Sequence, residues 1–96
     1  MSAEILTIPA GTSAVYELVS VGPYVRLPVP LTIMVNPNSG TVTVSVKVTP
    51  EGTYQAVADG DLSGDITAVK TAVLGGAVNA VKFTASGATA TIEIAE

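Results

Sequence analysis

The sequence predicts an all-β domain, an antiparallel β-sandwich (Ig-like or jelly-roll-like) of about seven or eight short strands. Three observations carry this expectation. Val42, Val44, Val46 and Val48 alternate with Thr43, Ser45 and Lys47 at a strict period of two, the pattern of a strand buried on one face only. Turn-forming clusters recur about every eight to twelve residues, the spacing of a sandwich or barrel. No window repeats apolar residues at helical spacing, and residues 68–74 would make about one turn at most.

Taken in order, residues 3–8 and 14–21 are candidate strands separated by Pro9, Ala10, Gly11, Thr12 and Ser13. Segment 1–13 is apolar and Pro/Gly-punctuated, so it reads as an extended amino-terminal arm or as an ordinary first strand. Pro23, Pro28 and Pro30 remove ladder donors around residues 24–30, which makes that stretch an edge or a bent connection. Residues 31–35 form the next strand. Asn36-Pro37-Asn38-Ser39-Gly40 then favours chain reversal by several mechanisms at once, and the expectation is antiparallel pairing of 31–35 with the valine strand 41–49. Pro50-Glu51-Gly52 ends that strand and leads into a short one at 53–58. Residues 66–74 stop at Gly75-Gly76. Residues 77–84 and 89–94 flank Ala85-Ser86-Gly87-Ala88, where a positive φ at Gly87 suits a second tight hairpin. Ala90, Ile92 and Ile94 share one face of the last strand, opposite Thr89, Thr91 and Glu93.

A chain of 96 residues has room for one core, so 1–96 reads as a single domain. With Cys 0 and His 0 it has no disulfides, thiolate nucleophiles, imidazole bases or common zinc and haem ligand sets. Its charged fraction is 12%, against roughly 25% in a typical soluble domain. A domain this small buries only about two thirds of its unfolded surface. Apolar surface is therefore left over, and the cheapest cover is other protein chains, as in obligate oligomers. A membrane helix is not indicated, because no apolar run approaches about 20 residues. Met1-Ser2-Ala3-Glu4 lacks the basic and apolar regions of a secretory signal, so the chain is expected to be made in the cytoplasm. Net charge is −4, and Arg26, Lys47, Lys70 and Lys82 are scattered along the sequence; nucleic-acid binding needs clustered cations.

Each candidate site has a plainer explanation. Asp59, Asp61 and Asp65 fall within seven residues, as at the start of a calcium loop, but the twelfth position holds Lys70 where a bidentate Glu is required. A solvated Asp/Gly turn that binds no metal is the expectation. Thr41, Thr43 and Ser45, with Thr89 and Thr91, offer a flat hydroxyl surface for a ligand or for ice, although strand propensity alone accounts for them. Glu4, Glu17, Glu51, Glu93 and Glu96 supply carboxylates, but glycoside hydrolysis needs a facing pair and usually an aromatic platform, and Trp is 0. Tyr16, Tyr24, Tyr54 and Phe83 read as core or interface anchors. A serine nucleophile has no histidine, and no Ser-x-x-Lys arrangement replaces it. Catalytic, cofactor-binding and metal residues are accordingly expected to be none.

Thr49-Pro50-Glu51-Gly52-Thr53-Tyr54-Gln55 and the run from Val81-Lys82-Phe83-Thr84 through Thr91-Ile92-Glu93-Ile94 resemble small β-sandwich structural proteins of tailed-bacteriophage virions. In those proteins a turn feeds an aromatic-bearing strand, and the chain ends in a hairpin of small residues, Thr and Val/Ile. The resemblance covers roughly the carboxyl half. It implies a non-enzymatic virion protein, first a head decoration, cement or minor capsid protein. A tail, collar or fibre component, or a free-standing adhesin-like or carbohydrate-binding module, is the alternative. The implied partners are other copies of the chain, a trimer first, and the major capsid protein or another virion protein, with no nucleic acid, membrane or cofactor. The implied location is the virion. Such proteins act through surfaces, so the resemblance assigns no functional residue.

Overall fold

A computed structural model describes residues 3–17, 31–47, 49, 51–57, 62–74 and 80–95. Among these the protein is all-β, with eight strands: β1 (Ala3–Ile8), β2 (Ser13–Glu17), β3 (Leu31–Asn36), β4 (Thr41–Lys47), β5 (Gln55–Ala56), β6 (Lys70–Leu74), β7 (Ala80–Ser86) and β8 (Ala90–Ala95). They form two four-stranded antiparallel sheets, a first in the order β1-β8-β3-β6 and a second in the order β2-β7-β4-β5. This order, with β1, β8, β3 and β6 opposite β2, β7, β4 and β5, is the eight-stranded jelly roll. The Ig-like alternative sets its first two strands side by side in one sheet, whereas here β1 and β2 lie in different sheets.

Alternation along the strands builds the core. β8 turns Ala90, Ile92 and Ile94 inward, β3 turns Ile33 and Val35, β7 turns Val81, Phe83 and Ala85, and β4 turns Val42 and Val44. Among the described residues Phe83 is the largest side chain that is fully buried. Each buried Val, Ile or Phe side chain contributes about 1.5–3 kcal/mol on leaving water. Val46 is partly buried against this cluster, and Val48 lies outside the described residues. Of the residues expected on the other face of β4, Thr43 is exposed, whereas Ser45 and Lys47 are half-buried.

The two hairpins expected from the turn clusters do not form. β3 and β4 belong to different sheets, and so do β7 and β8. The clusters do reverse the chain, but as arches that set side chains, rather than hydrogen-bonding edges, against each other. In the β3–β4 arch Asn36 Oδ1 accepts from the Asn38 N–H at 2.9 Å, Gly40 N–H donates to Pro37 O at 3.0 Å, and Asn38 takes φ 57°. Pro37 is fully buried, unlike a residue at the tip of an exposed hairpin. The arches are laced together. Gly11 N–H donates to Ala85 O at 2.9 Å, Ala85 N–H donates to Thr12 O at 3.0 Å, and the Asn38 side-chain amide donates to Thr89 O.

Several boundaries move. The strand expected at 53–58 shrinks to two residues, and the one expected at 66–74 begins at Lys70. Ala85 and Ser86 belong to β7 rather than to a turn. The amino-terminal segment expected as a possible arm is strand β1 from Ala3 onward, paired from Ala3↔Ala95 to Ile8↔Ala90, with Ile8 in the core. The readings of Pro23, Pro28, Pro30, Gly75 and Gly76 fall outside the described residues.

The outer edge of β4 is closed along its length. Ile66 exchanges two backbone hydrogen bonds with Val42, at 3.0 and 2.9 Å; Val57 N–H donates to Val44 O at 3.2 Å; and β5 pairs with Ser45 and Val46. Leu62 and Ile66, both buried, pin the β5–β6 connection against the core.

Candidate docking faces

The sheet registers place the outward side chains in rows. On the first sheet the middle row is Ile5, Glu93, Met34 and Thr71 across β1, β8, β3 and β6. Below it run Thr7, Thr91 and Asn36; above it run Ala95, Thr32 and Val73. Ile5 is 66% exposed and Val73 is 65% exposed. Glu93 is the one charge among the described outward residues of this face, and it sits between Ile5 and Met34.

The outer face of the second sheet differs. Its corresponding row is Val15, Lys82, Ser45 and Ala56. The Nζ atoms of Lys47 and Lys82 stand 5.3 and 5.4 Å from the centroid of the Tyr54 ring, within the range of cation–π attraction. Two cations far apart in sequence thus meet at one aromatic, which the scattered sequence positions did not reveal. Beside them Ser13, Thr84 and Thr43 align across β2, β7 and β4, with Ser13 Oγ and Thr84 Oγ1 3.1 Å apart.

The hydroxyl residues singled out in the sequence are split between these surfaces. Thr41, Thr43 and Ser45 lie on the second sheet, Thr91 on the outer face of the first, and Thr89 in the arch between β7 and β8. Strand pairing supplies Ser13 and Thr84 to the hydroxyl row instead, and only the pairing could have identified them. Tyr16 and Phe83 are core residues, Tyr54 is half-buried at the surface, and Tyr24 lies outside the described residues.

Asp59 and Asp61 also lie outside the described residues; Asp65 is exposed. Among the described residues no three His, Cys, Asp or Glu side chains group as metal ligands. Glu4 and Glu93 border an open depression with Ile5, Ile94 and Ala95. Glu4 is opposite Ile94, and Glu93 is opposite Ile5, so alternation sends the two carboxylates to opposite sides of the sheet rather than into a facing pair. No helix among the described residues is long and apolar enough to cross a membrane.

Compared with family models, curated proteins and solved structures, the chain matches none.

Proposed function

We propose that the protein is a non-enzymatic structural subunit of a tailed-bacteriophage virion, a head decoration protein of the cement or minor capsid kind, that works by burying sheet surface against neighbouring chains. The observation that carries this reading is the outer face of the first sheet, where Ile5 and Val73 stand two thirds exposed and Glu93 is the one charge among the described outward residues. Ile5 and Val73 stand on opposite edge strands with half-buried Met34 between them, and the scarcity of charge over this face favours contact with other chains, since interface centres are depleted in charged residues. Fold analogy adds a second support, because eight-stranded jelly rolls build viral capsid shells, though they also build lectins.

The test is a composition assay on purified tailed particles from cells that carry the gene, combined with glycan-array screening of the isolated protein. The expected result is the chain in stoichiometric amount on particles, lost on Ile5→Asp or Val73→Asp with the sandwich still folded. A chain absent from particles that binds a glycan through the Ser13, Thr84 and Thr43 row would replace this reading with the carbohydrate-binding module.

A further inference from the structure

We infer that Glu4 and Lys70 close the two edges of the first sheet to strand addition, so that folded copies meet other chains by their faces and not by these edges. This goes beyond the virion reading and does not rest on it. β1 and β6 are the outer strands of that sheet, and among the described residues no strand pairs with their outer sides. Such an edge offers unpaired N–H and C=O groups to any extended chain. β1 is a good template by composition: Ile5, Leu6, Thr7 and Ile8 carry no charge, and no proline interrupts Ala3 to Ile8. β6 is similar from Thr71 to Leu74.

Each of these strands carries one charge, near its start, on the side turned to the core. The registers set Glu4 level with Ile94 and Ile33, and Lys70 level with Val35 and Ile92. Those four partners are buried, and residues directly opposite each other in a sheet share a face. Glu4 and Lys70 therefore belong to the inner face, at the ends of adjacent core rows: Glu4, Ile94, Ile33 and Ala72 in one, Leu6, Ile92, Val35 and Lys70 in the next. Both are nevertheless exposed, each standing on the last strand of its row, where the side chain reaches water.

A strand added to β1 would extend the row beyond Glu4 and enclose its carboxylate between Ile94 and the incoming inner side chain. One added to β6 would do the same to the Lys70 ammonium group beside Val35. A charge taken from water into such a row is costly unless a counter-charge and hydrogen-bond partners meet it. Inward-pointing charges on edge strands are one of the ways proteins block edge pairing, and charges or prolines flanking an apolar strand are another; Pro9, directly after Ile8, adds the second device to β1. The outward residues of the same strands, Ile5 and Val73 among them, are uncharged. The block thus lies on the core side alone and leaves the margins of the outer face uncharged among the described residues.

The experiment is sedimentation velocity from micromolar to millimolar concentration on the wild type, Glu4→Val, Lys70→Val, Glu4→Lys, Lys70→Glu and Glu51→Val, with melting curves to establish folding and hydrogen exchange to locate new contacts. Glu51 is exposed in the turn before β5 and serves as the control away from both edges. Glu4→Val and Lys70→Val should each associate at a concentration on the order of tenfold below the wild type, with newly protected amides in β1 and β6 respectively. Glu4→Lys and Lys70→Glu, which keep a charge at the edge, and Glu51→Val should match the wild type. Glu4→Val makes the net charge less negative and Lys70→Val makes it more negative, so a rise in both cannot come from net charge. Valine variants as soluble as Glu51→Val, reversed charges that associate like the valine variants, opposite shifts that follow net charge, or association without new protection in β1 or β6 would overturn the inference. So would a wild type whose association is abolished by Glu4→Lys or by Lys70→Glu, since the two charges would then be pairing between copies. None of these outcomes reads particle composition, so the virion reading stands or falls separately.

Discussion

Gly40 and Gly87 meet backbone to backbone where the β3–β4 arch touches the β7–β8 arch. A Cβ on Gly87 would stand 3.5 Å from the Gly40 Cα, an ordinary contact, whereas one on Gly40 would overlap the Ser86 carbonyl oxygen and come within 2.6 Å of the Ala88 amide nitrogen. The two glycines are therefore needed for different reasons. Gly87 has φ 84°, and an L-residue there costs about 1–2 kcal/mol. Gly40→Ala must move backbone, so it should cost on the order of 3 kcal/mol, the upper end of overpacking penalties. Urea midpoints should rank wild type, Gly87→Ala and Gly40→Ala in falling order; the reverse order of the variants would show that the arches are not in contact.

In β4 the alternating pattern makes opposite predictions for neighbours. Val44→Ala should cost about 1–3 kcal/mol, and Thr43→Ala, exposed on the outer face, within about 0.5 kcal/mol. Phe83→Ala should cost about 3–5 kcal/mol, since this side chain is wholly enclosed between the sheets. Equal losses for Val44 and Thr43 in chemical denaturation would contradict the face assignment.

The connection between β5 and β6 is held by hydrophobic anchors, so calcium should not stabilise it. The melting temperature should be unchanged at millimolar calcium, because an ion that bound only the folded state would raise it by mass action. Leu62→Ala should cost about 2–5 kcal/mol. A calcium-dependent rise abolished by Asp61→Ala would reverse this assignment.

Removing residues 2–9 should unfold the protein rather than merely weaken its assembly. The deletion takes away β1, its full register with β8, and the buried Ile8. Circular dichroism is the check; a truncated chain with a native spectrum and cooperative melting would show that β1 is dispensable.

How far the sequence disclosed this molecule depends on the range of the interaction concerned. The inward faces of β4 and β8 were legible, because alternation of Val42 with Thr43, or of Ile92 with Glu93, is set within the strand itself. The strand partners were not. Asn36 to Gly40 and Ser86 to Ala88 signal reversal through φ preferences and local hydrogen bonds, and those signals are the same whether the strands then pair by their edges or face each other across a core. The buried position of Pro37 distinguishes the two, but burial is a tertiary property. The Lys47, Tyr54 and Lys82 cluster was hidden for the same reason: it depends on β7 lying beside β4.

The central position of β8 also shapes how the molecule comes into being. β8 separates β1 from β3 in the first sheet, and β7 holds the equivalent place in the second. As the ribosome releases the chain, β1 and β2 emerge before β8 and β7, the strands beside which they lie. Neither sheet can close until Ala80 to Ala95 has left the exit tunnel. Closure then joins distant parts of the chain, a class of topology that folds in milliseconds to seconds. Until β7 and β8 arrive, the β1 edge and the inner faces of the earlier strands stay open to other newly made copies, an exposure that favours aggregation.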